Sequence, residues 1–174
     1  SERCAKNTCD GPGYASHDVG VTGLALLCFL GAGHTHEFGA HKATLKNGLL
    51  FLIKSQDDEG CIGERVGHQF LYDHACAALA LTEAYGMTEA SAFKAPAQRA
   101  INFILAAQNP YRAWRYAIPP NGDNDTSVTG WMVMALKSAK LSGLIIDEGA
   151  YAGALSWIDE MTDPATGRTG YVDR

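Results

Sequence analysis

The chain has 174 residues, a net charge of −5 at neutral pH and 47% hydrophobic residues. This length suits a single domain, and the apolar fraction is typical of a globular protein rather than a disordered one. Because no basic stripe is present to neutralise phosphates, nucleic-acid binding is not expected. The longest apolar run, residues 19–32, is shorter than the roughly 18 residues that a membrane span requires, so no transmembrane segment is predicted.

Six helices are predicted along the chain, over residues 18–31, 42–55, 72–86, 96–108, 126–141 and 148–162. An aspartate at the start of alternate helices can accept hydrogen bonds from the free N–H groups of the first turn. Proline suits a first helical position, and glycine suits a helix end. The residues concerned are Asp18, Asp73 and Asp125 at starts, Pro96 at the fourth start, and Gly31, Gly86 and Gly143 at ends.

The loop between the first two helices contains His34, His36 and His41. Two histidines spaced by two residues in a loop can chelate a metal, and Glu37 could add a carboxylate. No fourth ligand is apparent, so a solvated loop is the alternative interpretation and no cofactor is predicted.

Five cysteines are present, an odd number that indicates no disulfide framework. Cys28 and Cys76 lie in apolar helical runs and are predicted to be small core residues. Cys4 and Cys9 share a loop-like segment in which they could pair. The cellular compartment stays open.

An internal repeat is the main feature of the sequence. The blocks that begin at Asp18, Asp73 and Asp125 share small residues at the fifth and sixth places and a large apolar residue at the seventh. A second landmark recurs with almost the same period, at Phe51-Leu52, Phe103-Ile104 and Trp157-Ile158. The repeats are predicted to cover residues 17–70, 71–124 and 125–174, with residues 1–16 as the tail of a preceding repeat.

The two helices of each repeat differ in polarity. Residues 19–30 and 75–81 are apolar around nearly the whole helix, which predicts burial on all sides. The second helices carry charged residues on part of their surface and are expected to form an outer layer. Small residues in the first helices are predicted to let neighbouring inner helices approach closely: Gly20, Gly23, Ala77, Ala78 and Gly130. A plain antiparallel bundle is the alternative.

The repeat resembles that of the terpene-cyclase and protein-prenyltransferase superfamily. Arg99-Ala100, Phe103-Ile104 and Gln108 match the first part of its QW motif, and Gly48, Phe51-Leu52, Gln56 and Gly60 match it in the first copy. The resemblance implies an all-α fold of three α-hairpin repeats, about half of an α/α toroid. The chain is expected to be a fragment or an open array.

The catalytic motifs of that superfamily are altered here. Squalene-hopene cyclases protonate an alkene with Asp-x-Asp-Asp-Thr, whereas this chain has Asn124 at the proton-donor place, between Asp123 and Asp125. The prenyltransferase zinc element Asp-x-Cys is matched only by Asp125-Thr126-Ser127, and serine is a poor zinc ligand. Asp123 and Asp125 therefore remain candidate catalytic residues, with a turn and a helix cap as the alternative.

Five aromatic residues are predicted near the starts of the inner helices, where they could bind an apolar or cationic ligand or fill the core instead. They are Phe70, Tyr72, Trp114, Tyr116 and Trp131. The sequence thus favours a module that binds an apolar ligand or a partner protein and that could form a homodimer. Two alternatives stay open. One is a cyclase or prenyltransferase whose catalytic residues lie outside this chain, and the other is a polysaccharide-acting enzyme with carboxylates paired across a groove, for which the candidates are Asp18, Asp73, Asp123 and Asp125.

Overall fold

The computed structural model describes residues 13–174, and within them the fold is all-α, as predicted, with no named strand. A short 3-10 helix, Ala15–His17, precedes six α-helices. These are α1 (Asp18–Gly31), α2 (Lys42–Lys54), α3 (Phe70–Thr88), α4 (Ser91–Ala106), α5 (Thr126–Leu141) and α6 (Gly149–Met161). Cys4 and Cys9 lie outside the described residues.

The helices form two layers. In the first layer, α3 lies between α1 and α5. The second-layer helices pack against it, α2 mainly on α1, α4 on α3 and α5, and α6 on α5. The three first-layer helices run parallel. Gly20 and Gly23 of α1 abut Asp73 and Cys76 of α3 in the same order, and α3 contacts α5 through Tyr72 and Ser127 near the helix starts and through Thr82 and Ser142 farther along. Their starts therefore lie at the same end of the domain.

Close packing of α1 on α3 depends on glycine. A Cβ added at Gly23 would lie 2.8 Å from the backbone of Cys76 and Ala77, closer than van der Waals contact allows. Gly130 of α5 was predicted to serve the same purpose, and that prediction is wrong. Its Cβ would have no neighbour within 4 Å, because this side of α5 is exposed.

The helix boundaries agree with prediction to within a few residues, but several start and stop signals act differently. Pro96 lies inside α4 rather than at its start, since the helix begins at Ser91. Gly86 also lies inside its helix, and Glu89 in a left-handed conformation ends α3. Of the three aspartates, only Asp125 is an N-cap whose side chain accepts from the first turn, from the Val128 amide at 2.8 Å.

The second helices are joined to their successors by a recurring glutamine contact. The amide of Gln56, just after α2, donates to the carbonyls of Gly60 and of Pro96 in α4, at 3.1 and 3.0 Å. The amide of Gln108, just after α4, donates to the carbonyls of Arg112 and of Ala150 in α6, both at 2.9 Å. Each glutamine thus closes its own loop and fastens it to the next second-layer helix. Thr162 takes this place after α6 and bonds locally to Ile158.

Candidate functional site

The candidate site lies at the end of the domain where α3 and α5 begin. Asp125 is fully buried there, although it carries a carboxylate. One oxygen accepts from the Val128 amide and from the Ser127 hydroxyl, at 2.8 and 2.9 Å. The other accepts from the Tyr171 hydroxyl at 3.3 Å and lies 3.8 Å from Nε of Arg115. A buried carboxylate needs such partners, since an unpaired charge in the interior is costly.

Two chains of hydroxyl groups lead from Asp125 to the surface. Because an ionised carboxylate only accepts, Ser127 and Tyr171 both donate to it. The oxygen of Ser127 in turn receives the Tyr72 hydroxyl proton at 2.5 Å, and the oxygen of Tyr171 receives that of Tyr116. The outer tyrosines therefore point their protons inward and leave oxygen lone pairs free to accept from a ligand.

Three tyrosines and a histidine form one continuous surface above this network, here called the tyrosine surface: Tyr72, Tyr116, Tyr171 and His68. The Tyr116 ring lies 5.1 Å from His68 and 6.2 Å from Tyr72, measured between ring centroids. The Arg115 guanidinium lies 5.2 Å from the centre of the Tyr116 ring.

The predicted aromatic residues divide between this surface and the core. Tyr72 and Tyr116 belong to the tyrosine surface. Trp114 is fully buried, and its indole N–H donates to the Ile104 carbonyl at 2.8 Å, so it is a core residue. Phe70 is also buried, and Trp131 of α5 is half-buried and packs against the hydrophobic core. The geometry thus brings together two of the five.

Sequence reasoning missed Tyr171 and His68. Tyr171 follows Tyr116 by 55 residues, which is the repeat period, so a comparison of the loops across the repeats would have found it. His68 carries no comparable signal. Only the packing of its loop against Tyr116 reveals its place.

The other acidic candidates have local partners. Asp123 is exposed and accepts from the Asn121 side chain at 3.0 Å within a turn. Asp73, inside α3, lies 3.1 Å from Nδ1 of His17. Asn124, which follows Asp123, accepts a hydrogen bond from the Ala113 amide at 3.0 Å. Residues 123 and 124 therefore hold their loop in place.

The predicted histidine group does not form a metal site in the structure. Among residues 13–174, no three His, Cys, Asp or Glu side chains are grouped closely enough to hold a metal. His34 and His41 are stacked edge to face, with ring centroids 5.0 Å apart. His36 turns away to pack on Phe93 of α4 and lies 3.3 Å from Glu37.

His74 is a buried histidine that the sequence analysis did not single out. Its Nδ1 accepts from the Ile62 amide at 3.0 Å, which requires the proton to lie on Nε2, 3.1 Å from the Ala100 carbonyl. Burial lowers its pKa to about 4, so the ring is neutral at physiological pH. Both nitrogens are engaged with backbone, and the residue fastens the loop after α2 to α3 and α4.

The buried thiols are unreactive by the same reasoning. Burial raises the pKa of Cys61 to about 12 and that of Cys76 to about 11, and only the thiolate is strongly nucleophilic. Cys28 was predicted to lie in the core, but it is exposed on α1. Among the described helices, none is both long and apolar enough to cross a membrane.

No protein-family model matches the sequence, and no curated protein or solved structure is significantly similar to it.

Proposed function

We propose that this chain is a protein-binding module, built from repeats of the terpene-cyclase and prenyltransferase type, that binds its partner through the tyrosine surface. The observation that carries the proposal is the convergence of Tyr72, Tyr116 and Tyr171, from three separate segments, on one buried carboxylate. Tyrosine and arginine are the side chains that most often dominate binding energy at protein interfaces.

The network beneath the tyrosine surface supports a binding role because it fixes the rings before a partner arrives. A ring whose hydroxyl is already bonded loses less freedom on binding than a mobile one. Since Tyr72 and Tyr116 turn their protons inward, the surface offers hydrogen-bond acceptors. A partner that presents hydrogen-bond donors, such as basic side chains or main-chain amides, suits it, and the net charge of −5 favours the same partner.

The glutamine contacts support the proposed repeat class. Gln56 and Gln108 stand where the QW motif has its glutamine, and each makes the same pair of bonds to its own loop and to the next helix. An arrangement of the α/α-toroid type is the larger architecture that we propose for such units.

The enzyme alternatives receive less support. Asp125 is enclosed by an N-cap bond, a serine and a tyrosine, which is the environment of a structural carboxylate. Asp73 is paired with His17 and Asp123 with Asn121, so among the described residues Asp18 is the one acid of a glycosidase-like pair that has no side-chain partner.

The test is quantitative affinity capture from cell extract with three forms of the immobilised chain: wild type, Tyr116→Ala, and Tyr111→Ala as the matched control. Tyr111 is an almost fully exposed tyrosine whose ring makes no aromatic contact in the described residues. We expect a protein retained by wild type and control and reduced at least tenfold with Tyr116→Ala, since a tyrosine that is a binding hot spot contributes about 2 kcal/mol or more. Equal retention by all three forms would refute the proposal.

Tyr116→Phe then separates the ring from its hydroxyl. If the partner donates hydrogen bonds to the surface, this variant should bind more weakly than wild type and more strongly than Tyr116→Ala. A purified partner and isothermal titration would measure the difference.

A further inference from the structure

Arg115 is a cation at the edge of the tyrosine surface. Its guanidinium lies 5.2 Å from the centre of the Tyr116 ring, and its side chain is 31% exposed. The main chain of Trp114, the residue before it, is bonded on both sides. Its amide donates to the Thr129 hydroxyl at 3.3 Å, and its carbonyl accepts from the Asp125 amide at 2.9 Å. The arginine therefore extends from a fixed stretch of backbone.

The charge of Arg115 is balanced, whereas its terminal hydrogen-bond donors face outward. The carboxylate oxygen closest to its guanidinium belongs to Asp125 and lies 3.8 Å from Nε, too far for a hydrogen bond. Nε is buried without a hydrogen-bond partner among the described residues, and the two terminal nitrogens lie at the exposed end of the side chain. Arg65 and Arg112 differ, because each bonds directly to a carboxylate, at 2.6 and 2.7 Å. Arg115 thus keeps its outer donors for another group.

Hydrogen-bond acceptors lie next to these donors. Tyr116 turns its hydroxyl proton inward, to Tyr171, and keeps free lone pairs on its oxygen. Tyr72 does the same with Ser127. The edge of the tyrosine surface that carries Arg115 therefore offers donors and acceptors side by side. Because the guanidinium and the buried carboxylate beneath it balance each other, a neutral polar group suits this place better than an ion.

The peptide group has the matching chemistry. It is neutral, and it carries one donor and one acceptor. In an extended chain, the N–H and C=O of one residue point to the same side, and every second residue repeats the arrangement after about 6.7 Å. The ring centres of Tyr72 and Tyr116 lie 6.2 Å apart. An extended main chain thus matches this surface in both hydrogen bonding and spacing.

We propose that the partner presents an unpaired, extended segment of main chain to the tyrosine surface and that Arg115 determines this specificity, an inference that rests on the proposed function. One residue of the segment donates its N–H to the Tyr116 oxygen, and its C=O accepts from the Arg115 guanidinium. Tyr72 accepts an N–H two residues further along. A flexible segment is a partner of this kind, because its main chain is not already paired.

The test begins with random, unstructured peptides displayed on phage and selected on the immobilised chain. We expect peptides that wild type retains and Tyr116→Ala does not. The best peptide is then synthesised with a methyl group on one main-chain nitrogen at a time, and its affinity is measured by isothermal titration. Methylation at one position, or at two positions separated by one residue, should weaken binding at least tenfold through the lost hydrogen bond. Affinity that no methyl group changes would overturn the proposal.

The variant Arg115→Lys tests the arginine itself. It keeps the positive charge beside Asp125 and removes the planar pair of terminal donors. We expect it to bind the peptide about tenfold more weakly, whereas Arg99→Lys, the matched control on the exposed side of α4, should bind like wild type. Thermal melts check that both variants are folded, and the methylation series needs only the wild-type chain. Equal binding by wild type and a folded Arg115→Lys would contradict the role of Arg115.

Further outcomes separate this inference from the proposed function. A protein captured from extract through Tyr116, with no peptide selected, would overturn the inference and leave the proposed function in place, because the partner would then be recognised as a folded surface. Peptides that bind only through an aspartate or glutamate would also overturn it, since Arg115 would then bind an anion. Failure of both the extract capture and the peptide selection would refute both.

Discussion

Helices α1 and α3 are similar in sequence and differ in surroundings. Both are apolar around nearly their whole circumference, and both were predicted to be buried on all sides. That prediction holds for α3, which lies between α1 and α5 with α4 behind it. It is wrong for α1, where only Val19, Gly20, Gly23, Leu26 and Leu30 are buried. An apolar helix carries side chains on every face that favour burial. The helices packed around it decide how many of those faces are buried.

One leucine in each helix shows this difference in burial most clearly. Leu24 and Leu79 occupy the same place in the repeat, 55 residues apart, yet Leu24 is 43% exposed and Leu79 is 6% exposed. We expect Leu79→Ala to lower the free energy of unfolding by about 3 kcal/mol through lost burial and a cavity. Leu24→Ala should cost less than about 1 kcal/mol. Urea denaturation of both variants measures the gap, and equal losses would show that α1 is covered in solution.

A second prediction concerns the buried His74 of α3. The equivalent position of the repeat in α1 is occupied by Val19. Its pKa is about 4 in the fold and about 6.5 unfolded, so the unfolded chain binds the additional proton between these values. Stability therefore falls as the pH drops through this range, by about 2 kcal/mol from this group between pH 7 and 4.5.

Denaturation curves of the wild type and of His74→Gln at both pH values test it. The variant should be less stable at pH 7, because the Ile62 amide and the Ala100 carbonyl lose a partner, and it should depend less on pH. An undiminished pH dependence in the variant would assign the effect to other groups.

The glycines of the two edge helices give a third prediction, with opposite signs. Gly23 in α1 and Gly130 in α5 occupy the same place in the repeat. Gly23→Ala drives a methyl group into the backbone of α3 and should destabilise the chain by about 1–2 kcal/mol. Gly130→Ala meets open space and should stabilise it by up to about 1 kcal/mol, the helix propensity gain. Thermal melts of the two variants should move in opposite directions.

The smallest expected effect is that of a change at Asp18, whose counterpart in the repeat is Asp125. Asp125→Ala removes the N-cap of α5 and also leaves Ser127 and Tyr171 without their acceptor, so it should cost more than the roughly 1 kcal/mol of a cap alone. Asp18→Ala should cost less, because Asp18 is exposed and is the first residue of α1 rather than its cap. Thermal melts in which the two variants behave alike would contradict the distinction between a capping and a non-capping aspartate.

Much of the fold could be predicted because helix-forming patterns are local. The recurrence of Phe51, Phe103 and Trp157 marked the second helices, and the runs that follow Asp18, Asp73 and Asp125 marked the first. The site could be predicted only in part. Tyr72 and Tyr116 were found from their place near helix starts. The sequence left open whether Trp114 binds a ligand or fills the core, because the residues next to a tryptophan do not show whether it is buried.

The sequence by itself determined which segments are helical, their order and their repetition, since hydrogen bonding within a helix and its apolar pattern involve residues only a few positions apart. Tertiary structure alone decided that Asp125 is enclosed by Ser127 and Tyr171, that Cys28 is exposed, and that Phe103 and Trp157 are buried while Phe51 is partly exposed. These outcomes depend on which distant segments lie side by side, and burial is a property of that arrangement rather than of any one stretch of chain.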